Sequence, residues 1–300
     1  MKKRSLLMLI MLLPMLAVAQ LKVVIKDSIS GKPIPYVAVM SADNMFGISS
    51  DKNGEFLVPT VDAAKGLYFD VVGYKDKAIK TLPASKIVLL QPGLAQPALQ
   101  VVRKKSEINA SGVIVDEFDL TKTSSFYSKP TIVAKYFPYE KKYEGTPYLN
   151  KVFVDVISKL PNAVYKLRIF AVGSDGTPGE DVLQQDFVVT AKKGDAVDAI
   201  DVSQFNIKFD PKGMFVGVET VIVNENQARV PWRTDLNDPE TEVVREIYQP
   251  TFRGNSIRKG TLWRHLNGKW SNLTTRVKQK RKRSTLYSVN NLFLEIELSN

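Results

Sequence analysis

The chain has 300 residues, no cysteine, a single histidine and a formal net charge of +11. The missing cysteines exclude disulfide scaffolds and thiolate nucleophiles, and the lone histidine, His265, excludes a zinc centre built on several imidazoles. A chain of this length can bury a full core, so it needs no disulfides even in an oxidising compartment.

The N-terminus opens with Lys2, Lys3 and Arg4, followed by an apolar run over 5–16 that only Pro14 interrupts. Ala17-Val18-Ala19 then supplies the small-residue pattern at which a leader is cut. This order predicts a secretory signal peptide over 1–19, with Gln20 as the new first residue. The run is short for a bilayer span, and an N-terminal anchor is the alternative. No cysteine stands at the cut, so a lipoprotein-type anchor is not expected. No later stretch is apolar enough to cross a membrane as a helix, so no transmembrane span is expected after cleavage. Three positive charges leave with the leader, and the mature chain carries +8. Export argues against nucleic acid as a partner. Anionic envelope surfaces are one use for the charge, and plain solubility is the other.

After the leader the sequence reads as short strands. Residues 21–25, 36–40, 54–58, 66–72 and 87–90 are β-rich runs bounded by Pro, Gly and Asp, the pattern of a sandwich or barrel over 20–91. Residues 92–125 change character, with Gln96-Pro97, Arg103-Lys104-Lys105 and a polar stretch, and predict a connector that carries a short edge strand at 113–115. Runs at 151–157, 164–172, 187–189, 214–223, 243–248, 260–266, 269–277 and 292–298 predict one larger jelly-roll-like sandwich over 126–300. Asp175-Gly176 and Pro178-Gly179 read as two successive turns inside it. The fold class expected is all-β throughout.

The first segment carries a fuller pattern. Asp27-Ser28-Ile29-Ser30-Gly31 is a turn closing the first strand, and Pro33 and Pro35 lead into the second. Asp51-Lys52-Asn53-Gly54 is a turn in which Gly54 is free to take positive φ, Phe56 and Tyr74 offer core anchors, and Tyr74 stands in the motif Val72-Gly73-Tyr74. In this order the residues resemble the carboxypeptidase regulatory-like domain of Bacteroidetes envelope proteins, over roughly 21–91. The resemblance implies a small transthyretin-like β-sandwich with no catalysis of its own. Residues 166–183 and 200–219 are similar, more weakly, to uncharacterised sandwich regions of the same group.

Catalytic machinery is not visible. There is no nucleophile elbow, no phosphate loop and no dinucleotide fingerprint. Asp51 to Glu55 lacks the spacing of a calcium loop, and Asp235, Asp238, Glu240 and Glu242 read as a solvated acidic loop. No cofactor or metal is expected. A glycoside hydrolase using two scattered carboxylates remains as a weaker alternative. Asp27-Ser28-Ile29 resembles a short O-glycosylation pattern of Bacteroidetes periplasmic proteins, and a turn explains it equally.

The most specific local feature is Asn267-Gly268, a two-residue hairpin signal. It sets Leu266 against Lys269, His265 against Trp270, Arg264 against Ser271 and Trp263 against Asn272. Trp263, His265, Trp270 and Asn272 then share one face. Such a face either belongs to the core or offers rings to a glycan or a protein partner. Arg276, Lys278, Lys280, Arg281, Lys282 and Arg283 follow as a basic block suited to an anionic surface or to solvent. The resulting expectation is a non-enzymatic exported protein that docks an envelope protein, with an envelope glycan as the alternative ligand. Its place would be the periplasm or the outer membrane, the cell surface being the remaining alternative. The sequence leaves its oligomeric state open.

Overall fold

Val23, Ile25 and Asp27 alternate with more exposed neighbours along the first strand, and the first sandwich is built on that face. The computed structural model describes residues 20–93, 108–112, 123–125, 127–233, 242–255, 262–266, 268–273 and 291–300. The expected leader, the strand expected at 113–115, most of the acidic loop and the basic block over 276–283 lie outside the described residues. Strand accounts for 56% and helix for 6%, so the all-β fold class holds.

The small sandwich has two sheets. In one, β1 (Gln20–Asp27) lies between β4 (Glu55–Pro59), antiparallel to it, and β7 (Ile87–Leu90), parallel to it. The other is an antiparallel sheet in the order β3 (Gly47–Ser49), β2 (Ala38–Ser41), β5 (Leu67–Asp70), β6 (Lys77–Ile79). Val23, Ile25, Phe56 and Val58 from the first meet Val39, Leu67 and Phe69 from the second, with the Phe56 and Phe69 rings edge to face at 6.2 Å. The turn residues do what their chemistry allows. Asp27 accepts hydrogen bonds from the Ile29 and Ser30 amides at 2.8 and 2.7 Å, and from the Tyr74 hydroxyl at 2.9 Å. A turn at one end of the segment is thereby tied to Tyr74 at the other. Gly54 takes the positive φ expected of it, at 73°.

The larger sandwich also has two sheets. The outer one runs β13 (Pro178–Asp181), β12 (Ala163–Val172), β16 (Met214–Thr220), β10 (Ile132–Phe137), β20 (Leu262–Leu266), β21 (Lys269–Asn272), with β14 (Phe187–Ala191) also on β12. The inner one runs β22 (Asn291–Leu292), β19 (Thr251–Asn255), β11 (Tyr148–Ser158), β23 (Leu294–Ser299), β8 (Ile108–Gly112), with β15 (Gly194–Asp201) on β11 and β9 (Thr123–Ser125) on β19. A separate ribbon pairs β17 (Gln227–Arg233) with β18 (Glu242–Tyr248). Val133, Leu167, Ile169, Val216 and Val218 pack against Val152, Val154, Val156, Phe252 and Ile296 to form the core between the sheets.

Two local readings are corrected. Pro178-Gly179 is not a turn but the start of β13, where a proline can stand because it is the first residue of a short outlying strand. The turn before it is confined to Asp175-Gly176, where Asp175 accepts the Thr177 amide at 3.0 Å and Gly176 has φ of 79°. The segment read as a connector contributes β8 and β9, and both pair into the inner sheet of the larger sandwich.

β16 is buried at every position, on both faces. One face meets the core. The other is covered partly by aromatic side chains and partly by the small sandwich, which explains why this strand reads as a continuous apolar run. Gly217 sits where β16 comes close to β10, and a Cβ there would lie 2.3 Å from the Val133 carbonyl oxygen. Gly217→Ala must push these strands apart and is expected to lower stability by about 1–3 kcal/mol, read as a fall in the urea midpoint at constant slope.

Candidate functional site

The outward face of the outer sheet is laid out in lateral rows fixed by strand register. One row runs Phe170, Phe215, Tyr136 across β12, β16 and β10. The next runs Arg168, Gly217, Ala134, Trp263, Asn272, and the third Lys166, Glu219, Ile132, His265, Trp270. The β20–β21 hairpin has the register its turn predicts, with Trp263 opposite Asn272 and His265 opposite Trp270, and Gly268 has φ of 71°.

Trp263, His265 and Trp270 are thus brought together, but not in the inter-sheet core. The two tryptophans belong to a second, smaller cluster on the outward face, built on buried Ile132, Ala134, Phe170 and Phe215. Trp263 stands edge to face with Phe215 at 6.2 Å, and Trp270 with Phe170 at 5.0 Å. His265 lies 5.0 Å from the Trp270 ring, and Tyr136 leans on Phe215 at 5.1 Å. Tyr136, Trp263, His265 and Trp270 are half-buried, and Asn272 is exposed. The arrangement is an aromatic shelf: rings anchored from below by phenylalanines, with part of their surface open. The basic residues Arg276, Lys278, Lys280, Arg281, Lys282 and Arg283 lie outside the described residues.

Next to the shelf the same sheet carries charge. Arg168 reaches Asp181 at 2.6 Å and also pairs with Glu219, while Lys166 reaches Asp186 at 2.8 Å and Glu219 at 3.8 Å. Lys166, Arg168 and Glu219 are all buried. Burial works against the charge of Glu219, but Lys166 and Arg168 hold its carboxyl below the usual range. Burial dominates for Asp181, which is pushed up to about 6 despite Arg168.

The small sandwich sits over this charged end. The Ser49 amide donates to the Ile222 carbonyl at 2.8 Å, and the Ile222 amide donates to Ser49 Oγ at 3.0 Å. Lys129 Nζ donates to the Asn44 carbonyl. Gly73, with φ of 85°, lies so close to the larger sandwich that a Cβ there would be 2.7 Å from the Gln184 carbonyl oxygen. Between the two units a void of about 20 Å³ is lined by Met40, Tyr68, Asp70, Ile132, Glu219 and His265. It has room for about one water. Desolvation at this junction pushes Asp70 up to about 6 and lowers His265, which Arg168 lowers further.

Sequence reasoning put Trp263, His265 and Trp270 on one face without deciding between core and open surface, and it missed the charge cluster. The signal was present: Lys166 and Arg168 are two residues apart within an otherwise apolar strand, and Glu219 interrupts the apolar run over 214–223. Among the described residues no group of three or more His, Asp or Glu side chains is placed to hold a metal ion.

No family model and no curated protein matches the chain. Among solved structures it is similar to that of infectious bursal disease virus, Gx strain, with a TM-score of 0.26 and 9% identity, covering 93% of this chain and 59% of that one. It is similar too to T=1 particles derived from infectious bursal virus, with a TM-score of 0.25 and 9% identity, covering 93% of this chain and 58% of that one. The chain thus spans less than two thirds of the length of either, and at such scores neither likeness carries an inference about it.

Proposed function

We propose that this chain is an exported, non-enzymatic protein of the cell envelope that works by binding, with its aromatic shelf as the docking surface for an envelope protein. Export rests on the leader-like N-terminus, and the non-catalytic character of the small sandwich on the resemblance of residues 21–91 to the carboxypeptidase regulatory-like family. The observation that carries the reading is the half-open state of Tyr136, Trp263 and Trp270 above buried Phe170 and Phe215. Aromatic side chains held in place from below lose little entropy on binding and are enriched at the centres of protein interfaces.

The second reading is a glycan ligand, favoured by the indoles standing beside His265 and the exposed amide of Asn272, a combination that stacks on sugar rings and bonds their hydroxyls. A carboxylate hydrolase gains no support from the void beside Asp70. Asp70, Glu219 and His265 line a void of about 20 Å³, far too small for a sugar ring.

The test is a cross-linked pull-down of tagged full-length protein from native envelope fractions, run beside Trp263→Leu/Trp270→Ala. A reproducible protein partner is expected with the parent. It is lost with the double variant, while the variant's near-UV circular dichroism and urea transition remain those of a folded chain. Recovery of polysaccharide alone moves the assignment to the glycan. Recovery of neither sinks both readings.

A further inference from the structure

We infer that the junction between the two sandwiches is a proton-operated latch, in which uptake of a proton by Asp70 clamps the small sandwich onto the larger one. The geometry that points to it is an imbalance of charge where the two units meet. Lys166 and Arg168 face four carboxylates there: Glu219, Asp181 and Asp186 from the larger sandwich and Asp70 from the small one. The three on the larger sandwich hold the two cations in ion pairs without help from Asp70. Asp70 arrives as an additional negative charge, half-buried, at the edge of a void with room for about one water.

Every charged or titratable neighbour of Asp70 bears on the sign. From its own sandwich, Asp76 adds like charge, and Tyr68 is committed to a hydrogen bond with Asp76. From β12 and β16, Arg168 and Lys166 favour the carboxylate while Glu219 opposes it. From β13 and the loop after it, Asp181 and Asp186 each share one of these cations. Desolvation outweighs the attraction, and Asp70 in the closed junction titrates at about 6 rather than 3.8. A carboxylic acid whose pKa is raised by closure stabilises the closed form when protonated. That stabilisation is present at acid pH and is lost as pH rises through about 6. His265 works the other way. Burial keeps it neutral, so closure loses stability as pH falls below its ordinary value of 6.5. Asp181 is also pushed up to about 6, but it belongs to the larger sandwich and keeps its ion pair with Arg168 whether the junction is open or closed.

Amide exchange in the mature chain tests this. The Ser49 and Ile222 amides bond across the junction and are released when it opens. After correction for intrinsic exchange, their protection is expected to rise roughly tenfold between pH 8 and pH 5. The Val216 amide in the core strand serves as the reference for global unfolding and does not follow them. Asp70→Asn, which fixes the neutral state, gives high protection with no such rise. His265→Gln removes the opposing titration and gives a rise at least as large as the parent's. Protection that is flat or falls on acidification overturns the latch. So does a rise kept in Asp70→Asn, a smaller rise in His265→Gln, or a rise shared equally by Val216.

Discussion

Glu219→Ala is expected to lower stability by about 3–5 kcal/mol, a large share of the about 5–15 kcal/mol that a folded chain ordinarily holds. Glu219 is 3% exposed and, among the described residues, is the one carboxylate that touches both buried cations, pairing with Arg168 and lying 3.8 Å from Lys166. Its removal leaves two positive charges in a poorly solvated layer, with Asp181 holding one and Asp186 the other. The size of the effect comes from leaving each of these buried cations with a single carboxylate partner rather than from the net worth of one pair. The test follows from that distinction. Glu219→Gln keeps a hydrogen-bond acceptor for Arg168 and is expected to lose less. The combined Arg168→Met/Glu219→Leu variant, which removes charge of both signs, recovers much of the deficit. Urea denaturation of the three variants at pH 7 decides it, and a double variant no better than Glu219→Ala refutes the explanation. The pH dependence follows from the lowered pKa of Glu219: its contribution is complete above the ordinary carboxylate range and disappears as pH falls through the depressed value.

What could be read in the chain was local, and what could not be read was which surfaces meet. Alternation placed β1, and turn chemistry placed Gly54 and the register of Trp263 and His265, because period and turn geometry act within a few residues. Whether Trp270 was core or surface depended on Phe170, a residue of the distant strand β12, and the structure gives an intermediate answer. β15 escaped notice because only one of its eight positions is buried, so it carries almost no apolar signal. Pro178 misled because proline is common in turns and is also tolerated at the start of an outlying strand. The charge cluster was missed for a related reason. Lys166 and Arg168 look like the solvated face of a strand until a second sandwich is placed over them.

β10 shows the same limit in a single residue and gives the second large prediction. Its sequence, Ile132-Val133-Ala134-Lys135-Tyr136-Phe137, carries a lysine on the face that packs into the inter-sheet core. Lys135 is 4% exposed, and its ammonium donates to the carbonyls of Leu292 at 3.2 Å and Leu294 at 2.9 Å on the opposite sheet. Desolvation lowers its pKa from 10.5 to about 8, against the pull of Glu295. The folded state therefore holds this proton less tightly than the unfolded chain does. Stability from this site is complete above pH 10.5 and is lost as pH falls through about 8. The difference amounts to about 3 kcal/mol between the two limits. Other lysines also titrate in that range, so the comparison must be made against Lys135→Met, which keeps the volume and removes the charge. The variant is expected to exceed the parent by about 1–3 kcal/mol at pH 7. The gap narrows as pH approaches 10, because the parent then sheds its buried charge while keeping an amine that still bonds both carbonyls. Urea midpoints of the pair at pH 7, 8.5 and 10 measure this. A gap that stays constant across the series means that the lysine is not titrating in the core.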